Sequence, residues 1–221
     1  LHRLVREFAE NELAPLAAQI DREGQVPFDL LRQMGELGLL GVCFPQEYGG
    51  MNAGETGYCI LMEELGRVCT STATTVGAHI GIGAMSIYLD GTEAQKQTYL
   101  VPLARGQKFA AFVLTEADAG SDAAAIRTRA VREGDSWIID GTKTFNTNGS
   151  FADVVTVLAV TDPALGARGG ITAFIVETDS PGFKVGRHEN KMGIRGSATA
   201  ELVFDEVRVP QENVLGKVGE G

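Results

Sequence analysis

The chain has 221 residues, 44% hydrophobic and 22% charged, with a net charge of −10 at neutral pH. That length and apolar content allow one large or two modest domains with packed cores. The acidic balance, with no basic cluster to offset it, excludes a nucleic-acid partner but leaves room for an anionic cofactor held by a few aimed N–H groups. Cys43, Cys59 and Cys69 have neither metal-ligand nor redox spacing and read as reduced, mostly buried thiols of a cytosolic-type protein, with no metal implied. No apolar run is long enough for a membrane span. Leu1 begins mid-pattern, without a signal peptide or Met, as in a trimmed or incompletely represented chain.

Apolar residues at Leu1, Leu4, Val5 and Phe8, then Leu13, Leu16 and Ile20, predict an amphipathic helix over 1–22, kinked near Pro15, where a backbone donor is missing. Gly24 to Pro27 breaks it. Leu30, Leu31, Met34 and Leu37 predict a second helix closed by Gly38. Segment 38–54, GLLGVCFPQEYGGMNAG, is apolar and glycine-rich, a packed loop in which Gly49-Gly50 needs no role beyond a turn. Tyr58, Leu61, Met62 and Leu65 mark a third helix, with Glu63 and Glu64 on its solvated side rather than serving as an acid–base pair.

Thr70 to Leu89, rich in Ala, Gly, Thr and Ile, predicts a helix buried on most sides. Its GIGAMS at 81–86 lacks the third glycine and the preceding strand of a dinucleotide fingerprint. His79 has no partner nucleophile in its segment and reads as a satisfied core histidine. Thr92 to Arg105 forms another helix, with Tyr99, Leu100 and Leu103 on its core face. At Phe109 the period switches from helical to alternating, which divides the chain into an all-α part, 1–108, and a β part, 109–221.

The β part opens on an apolar strand, Phe109 to Leu114, that stops at Thr115-Glu116 and runs into Ala119-Gly120-Ser121-Asp122. Gly120 lets the backbone approach a ligand, Ser121 supplies a hydroxyl, and local N–H groups supply partial positive charge, a combination suited to a phosphate or diphosphate. A strand near 126–132 turns at Glu133-Gly134-Asp135 into Trp137-Ile138-Ile139. Asp140-Gly141 then signals a second hairpin, with Thr142 to Thr147 returning antiparallel. Phe145 and Thr147, two apart, fall on one face and offer an aromatic beside a hydrogen-bonding group, as a flat heteroaromatic ring requires. Further strands are predicted at 154–160, 171–176, 183–186, 200–204 and 206–209, favouring a compact barrel or two packed sheets. No nucleophile elbow, catalytic triad spacing or His-Glu cluster is present.

LTEADAGSD at 114–122 followed by GTKTFNTNG at 141–149 resembles the paired flavin-binding signature of the acyl-CoA dehydrogenases. Segments 38–54, 92–106 (TEAQKQTYLVPLARG) and 191–216 (KMGIRGSATAELVFDEVRVPQENVLG) resemble the corresponding parts of that family. The resemblance implies an α+β multidomain fold, an N-terminal all-α helical domain followed by a small antiparallel β-barrel domain that binds FAD. It implies cofactor contacts from Phe112, Val113, Leu114, Thr115, Gly120, Ser121, Phe145, Asn146 and Thr147, with Thr115 near the pyrimidine edge, Gly120 and Ser121 toward the diphosphate, Phe145 packed by the ring system and Thr147 donating near N5. Ser121 is also the expected substrate contact. Arg195 and Ser197 are placed either to contact a ligand or, for the arginine, to hold the barrel to adjacent elements.

Two positions depart from the family pattern. Ala117 stands where proline is usual, which loosens the turn. Asn146 stands where an aliphatic residue is usual, and a buried amide without partners costs about 1–3 kcal/mol. The implied partners are an acyl-CoA substrate, an electron-transfer flavoprotein and further copies of the chain, in bacterial cytoplasm or a mitochondrial matrix. The family's catalytic glutamate and much of its acyl pocket belong to a C-terminal helical domain expected beyond Gly221, so the chain alone is expected to be inactive; Glu116 is read as ordering its turn. A flavin oxidase or monooxygenase on the same scaffold, and a non-catalytic flavin-binding module, are the alternatives.

Overall fold

The computed structural model describes residues 1–221. The first helical rod is α1 (His2–Phe8), a π-helical turn at Ala9–Leu13, a 3-10 turn at Ala14–Leu16 and α2 (Ala17–Glu23). The irregular turns fall at Pro15, whose ring removes a donor from the helical ladder. Gly24, at φ 72°, ends the rod. Next comes α3 (Phe28–Glu36), followed by Gly38 at φ 76°. Segment 38–54 is a packed loop as expected: a Cβ at Gly50 would lie 2.1 Å from the Phe44 carbonyl oxygen.

Helix α4 (Gly54–Val68) leads through extended Cys69 into a second rod, α5 (Thr70–Ala78), a π-helical turn at His79–Ala84 and α6 (Met85–Asp90). A Thr92 capping box then starts α7 (Glu93–Gln95), continued by a π-helical turn at Lys96–Leu100 and α8 (Val101–Ala104). Glu64 departs from its expected place on a solvated face. It is buried, and its carboxylate accepts two bonds from Arg6, at 2.8 and 3.0 Å, and one from Arg67 at 3.3 Å. Two guanidinium groups offset its desolvation, and the Arg6 bond above all pulls its pKa down to about 2.

The strands are β1 (Ala110–Val113), β2 (Arg129–Glu133), β3 (Ser136–Thr147), β4 (Val154–Val160), β5 (Ile171–Glu177), β6 (Phe183–His188), β7 (Thr199–Pro210) and β8 (Val214–Leu215). They hydrogen-bond in the order β6-β7-β3-β2-β4-β5-β8, with β1 parallel to β4. The expected barrel is therefore an open, mostly antiparallel sheet. β2 meets β4 only at Arg129 and Val160, because β1 occupies the rest of that edge of β4, and β6 and β8 end the path without pairing to each other. The sheet still encloses a core: Trp137 of β3 meets Phe174 of β5 edge to face at 5.5 Å.

Two expected strand breaks are bulges instead. Asp140-Gly141 is no hairpin; β3 continues through it for twelve residues, and the only turn between β2 and β3 is at Gly134-Asp135. A bulge there shifts the β3–β7 register between Ile139 and Gly141, and Asp140 Oδ1 accepts from the Glu206 N–H at 2.8 Å. The opposing irregularity puts Glu206 at φ 54°, so 200–204 and 206–209 form one strand, β7.

The helices and the sheet share a core. Ala110, Val154, Ile175 and Leu215 pack in the same buried cluster as the helical residues. Gln95 Nε2 donates to the Glu212 and Val214 carbonyls at 2.8 and 2.9 Å. Arg195 takes the bracing role foreseen for it, donating to Asp21 O at 3.0 Å. His79 is the satisfied core histidine expected. Its Nδ1 accepts from the Ala110 N–H at 3.1 Å, which leaves Nε2 protonated to donate to Leu103 O, also at 3.1 Å. Burial lowers its pKa to about 4.

Candidate cofactor and substrate site

The two motifs singled out in the sequence lie side by side. β1 ends at Val113, and the chain then runs beside the second half of β3. The Thr144 N–H donates to Thr115 O at 2.8 Å, and Lys143 Nζ donates to Leu114 O at 2.9 Å. Val113 is buried, while Phe112, Leu114 and Thr115 are half-buried.

Beyond Thr115 the chain makes a loop cinched at its neck. Glu116 and Ala119 exchange backbone bonds at 2.9 and 3.2 Å, and the Glu116 carboxylate accepts from the Arg127 and Thr128 N–H groups at 2.7 and 3.0 Å. Glu116 thus orders the turn, as the sequence suggested. Its counter-charge was not anticipated: Lys143 is completely buried, with Nζ 2.8 Å from Glu116 Oε1. Burial pulls the Lys143 ammonium below the usual lysine range, against the opposing pull of Glu116. Burial pushes the Glu116 carboxyl up, but the donors from Lys143, Thr128 and Arg127 outweigh it and hold the group below the usual carboxylate range.

At the tip of this loop Gly120, Ser121 and Asp122 are exposed, and a Cβ added to Gly120 would meet nothing within 4 Å. Only a 3-10 turn at Ala123–Ala125 follows, not a helix, so an anion here would rest on loop amides and the Ser121 hydroxyl.

The end of β3 supplies the other half. Between Lys143 and Asn146 the register with β7 shifts, and Phe145 sits at φ 57° with its side chain 62% exposed. A large aromatic is rare in this backbone region, and strain of this kind concentrates at ligand clamps. Asn146 is buried, and its Nδ2 donates to Ala200 O at 3.0 Å, so its amide donor finds a partner within the sheet. Thr147 is half-buried and forms part of the wall of a cleft of about 740 Å³. The rest of that wall comes from α4 and the α5–α6 rod, including Met62, Ala78, Ile82 and Met85. Asn148, also unanticipated, fixes this junction: it is fully buried, and its Nδ2 donates to Thr75 O at 2.8 Å.

These residues fit a flat, phosphate-bearing cofactor. Open space above Gly120 admits a phosphate, the exposed Phe145 ring offers a stacking face, and the apolar cleft beginning at Thr147 admits a hydrocarbon tail. Ser197, the other candidate contact, is buried with its Oγ unpartnered.

An arrangement of this kind can hold a large conjugated cofactor against an apolar-tailed substrate, and comparison with known proteins narrows the class. Residues 1–107 match the family model of the acyl-CoA dehydrogenase N-terminal domain, and residues 111–207 match that of the acyl-CoA dehydrogenase middle domain. The chain belongs to the acyl-CoA dehydrogenase family. It is 47% identical over its whole length to the short-chain specific acyl-CoA dehydrogenase of Clostridium acetobutylicum, of which it covers 58%. Its fold superposes with a TM-score of 0.97 and 47% identity on a chain in the structure of the electron transferring flavoprotein of Acidaminococcus fermentans, covering all of this chain and 58% of that one. An acyl-CoA dehydrogenase from Bacillus anthracis complexed with FAD superposes at 0.91 with 38% identity, over all of this chain and 37% of that one. The chain thus spans somewhat more than half the length of the first of these relatives.

Proposed function

We propose that the chain is the flavin-holding part of a FAD-dependent acyl-CoA dehydrogenase acting on acyl thioesters, with residues 1–108 as its helical domain and 109–221 as its flavin-binding domain. The observation that carries this reading is the union of the two motifs, Thr144 N–H on Thr115 O at 2.8 Å, which brings the strand exit at 114–116 against the end of β3. The FAD-bound relative supports the cofactor and the short-chain relative the reaction.

On this reading Thr115 and the strand exit at 112–114 line the pyrimidine side of the ring, Gly120 and Ser121 hold the diphosphate, and Phe145 covers the ring. The main chain around Asn146 and the Thr147 hydroxyl donate along its edge. FAD, when bound, supplies the two-electron acceptor for removing hydrogen from the carbons next to the thioester. Met62, Ala78, Ile82 and Met85 exclude water from the acyl tail, and the Thr147 hydroxyl marks the end of the cleft where the thioester lies. The carboxylate that takes the α-proton is assigned to the part of the relatives' length that this chain does not span. An electron-transfer flavoprotein as acceptor, homo-oligomeric assembly and a cytoplasmic or matrix location complete the proposal; no helix is long and apolar enough to cross a membrane.

The test is anaerobic addition of butyryl-CoA to the full-length, FAD-loaded protein, with flavin bleaching as the readout. Absence of FAD binding sinks the reading, and stoichiometric peroxide under air favours an oxidase. Catalytic bleaching by residues 1–221 alone would place the base within them.

A further inference from the structure

Tyr58 of α4 is the only aromatic residue on the wall of the cleft, and it is seated in a notch of the opposite rod. Its hydroxyl donates to Gly77 O at 3.3 Å. A Cβ at Gly81 would stand 2.7 Å from the phenol oxygen and 3.2 Å from the carbon that bears it; one at Gly77 would stand 3.3 Å from the same oxygen. Glycine within a helix costs about 0.5–1 kcal/mol relative to alanine. Gly81 is explained by the seat it gives the ring, and Gly77 by the room it leaves for both the phenol oxygen and Met62 Sδ, which a Cβ there would meet at 3.0 Å. The same contacts fix the phenol, whereas its neighbours Met62 and Met85 have unbranched chains that adjust to whatever lies beside them.

The seat also lies close to the reacting end of the cleft. Asn148 ties the end of β3 to Thr75, and Gly77 and Gly81 lie two and six residues further along the rod. At 1.5 Å rise per residue the ring is therefore met about 3–9 Å along the helix from that anchor, room for a handful of carbons. We propose that Tyr58 sets the length of acyl chain the cleft accepts, stopping a straight tail at the level of Gly77 and Gly81 and so selecting short-chain acyl thioesters. This rests on the reading of the cleft as the acyl pocket.

The experiment compares kcat/KM for butyryl-, hexanoyl- and octanoyl-CoA in the full-length, FAD-loaded enzyme, wild type against Tyr58→Ala and Tyr58→Phe. Tyr58→Ala is expected to raise the octanoyl-to-butyryl ratio at least about tenfold, the discrimination carried by one or two methylenes in an apolar pocket. Tyr58→Phe, which keeps the ring, is expected to leave the ratio within about twofold of wild type. A ratio unchanged in Tyr58→Ala, or an equal fall for all three thioesters, overturns the proposal and leaves the underlying reading intact. A wild-type enzyme that binds FAD and turns over none of the three overturns the reading itself, and this inference with it. Should Tyr58→Ala fail to fold, Tyr58→Leu carries the same expectation at about threefold, and an unchanged ratio there is equally fatal.

Discussion

Replacing Lys143 by methionine keeps the length of the side chain and deletes its charge, and it tests whether the buried lysine holds the loop at 116–128 to the sheet. Nζ is 2.8 Å from Glu116 Oε1 and donates to Leu114 O at 2.9 Å, with no part of the side chain reaching solvent. Removing one partner of a buried pair costs about 3–5 kcal/mol, because the survivor is left desolvated. Glu116 keeps the Arg127 and Thr128 N–H donors and is 10% exposed, which places the cost toward the lower end, about 3 kcal/mol. For a chain of this size that is a fall in Tm of about 6–12 °C. The assay is urea unfolding of wild type, Lys143→Met, Glu116→Gln and the double variant. The ion pair predicts a double variant less destabilised than the sum of the singles by at least about 1 kcal/mol. In the folded apo protein, hydrogen exchange should rise at amides 115–128 and not in α4 or α5. A Lys143→Met variant as stable as wild type, or strict additivity, would refute the argument from burial.

The other expectations are independent of that pair. His79 has its pKa lowered to about 4 by burial, below its value in the unfolded chain, so the unfolded state takes up its proton first as the pH falls. Stability is complete above about pH 6.5 and declines toward pH 4, by about 3 kcal/mol for this one group; urea midpoints across that range should show less of the slope in His79→Gln. Glu64, held near pKa 2 by Arg6 and Arg67, adds a second loss of stability as the pH falls below about 4.5, one that Glu64→Gln should remove. Gly141→Ala puts a Cβ 2.4 Å from Thr128 Oγ1 and 2.8 Å from its Cα, and should cost about 1–3 kcal/mol in urea unfolding. Ser121→Ala removes one charge-assisted bond from the proposed diphosphate site and should weaken FAD binding by about 10–100-fold in a fluorescence titration, with little change in Tm.

Most helices were legible because they show one apolar face, and the Thr70–Leu89 rod because it is small and apolar on most sides; Pro15, Gly24 and Gly38 mark breaks that local chemistry enforces. The strand ends misled where the sheet bends. Along β7 the buried residues are Ala200, Leu202 and Phe204, then Val207 and Val209, so the parity of the alternation changes across Asp205-Glu206. A change of parity is equally well produced by a turn between two strands or by a bulge within one. Only the partner strand decides, here through Asp140 and the shifted pairing with β3. Asp140-Gly141 carries the composition of a hairpin for the same reason, since both features need a residue without steric demand; at Gly141 the demand comes from Thr128, thirteen positions earlier. Glu64 was misplaced because its cations, Arg6 and Arg67, come partly from another helix.

The site was legible as motifs but not as a mechanism for holding them. Nothing local says that Lys143 is buried, yet it shares the parity of Trp137 and Ile139, which face the core, and a lysine on a core-facing register demands a carboxylate nearby. The other motif contains that carboxylate, Glu116. The pairing explains why these segments need each other independently of any ligand. Glu116 gathers the N–H groups of Arg127 and Thr128 to close the loop, and Lys143 compensates the charge this closure buries. The Thr144 N–H then fixes the register between them, so the open space above Gly120 and the exposed ring of Phe145 are set by a network that is complete within the chain. On the proposed function, a surface preorganised in this way spends less of the flavin's affinity on ordering the loop.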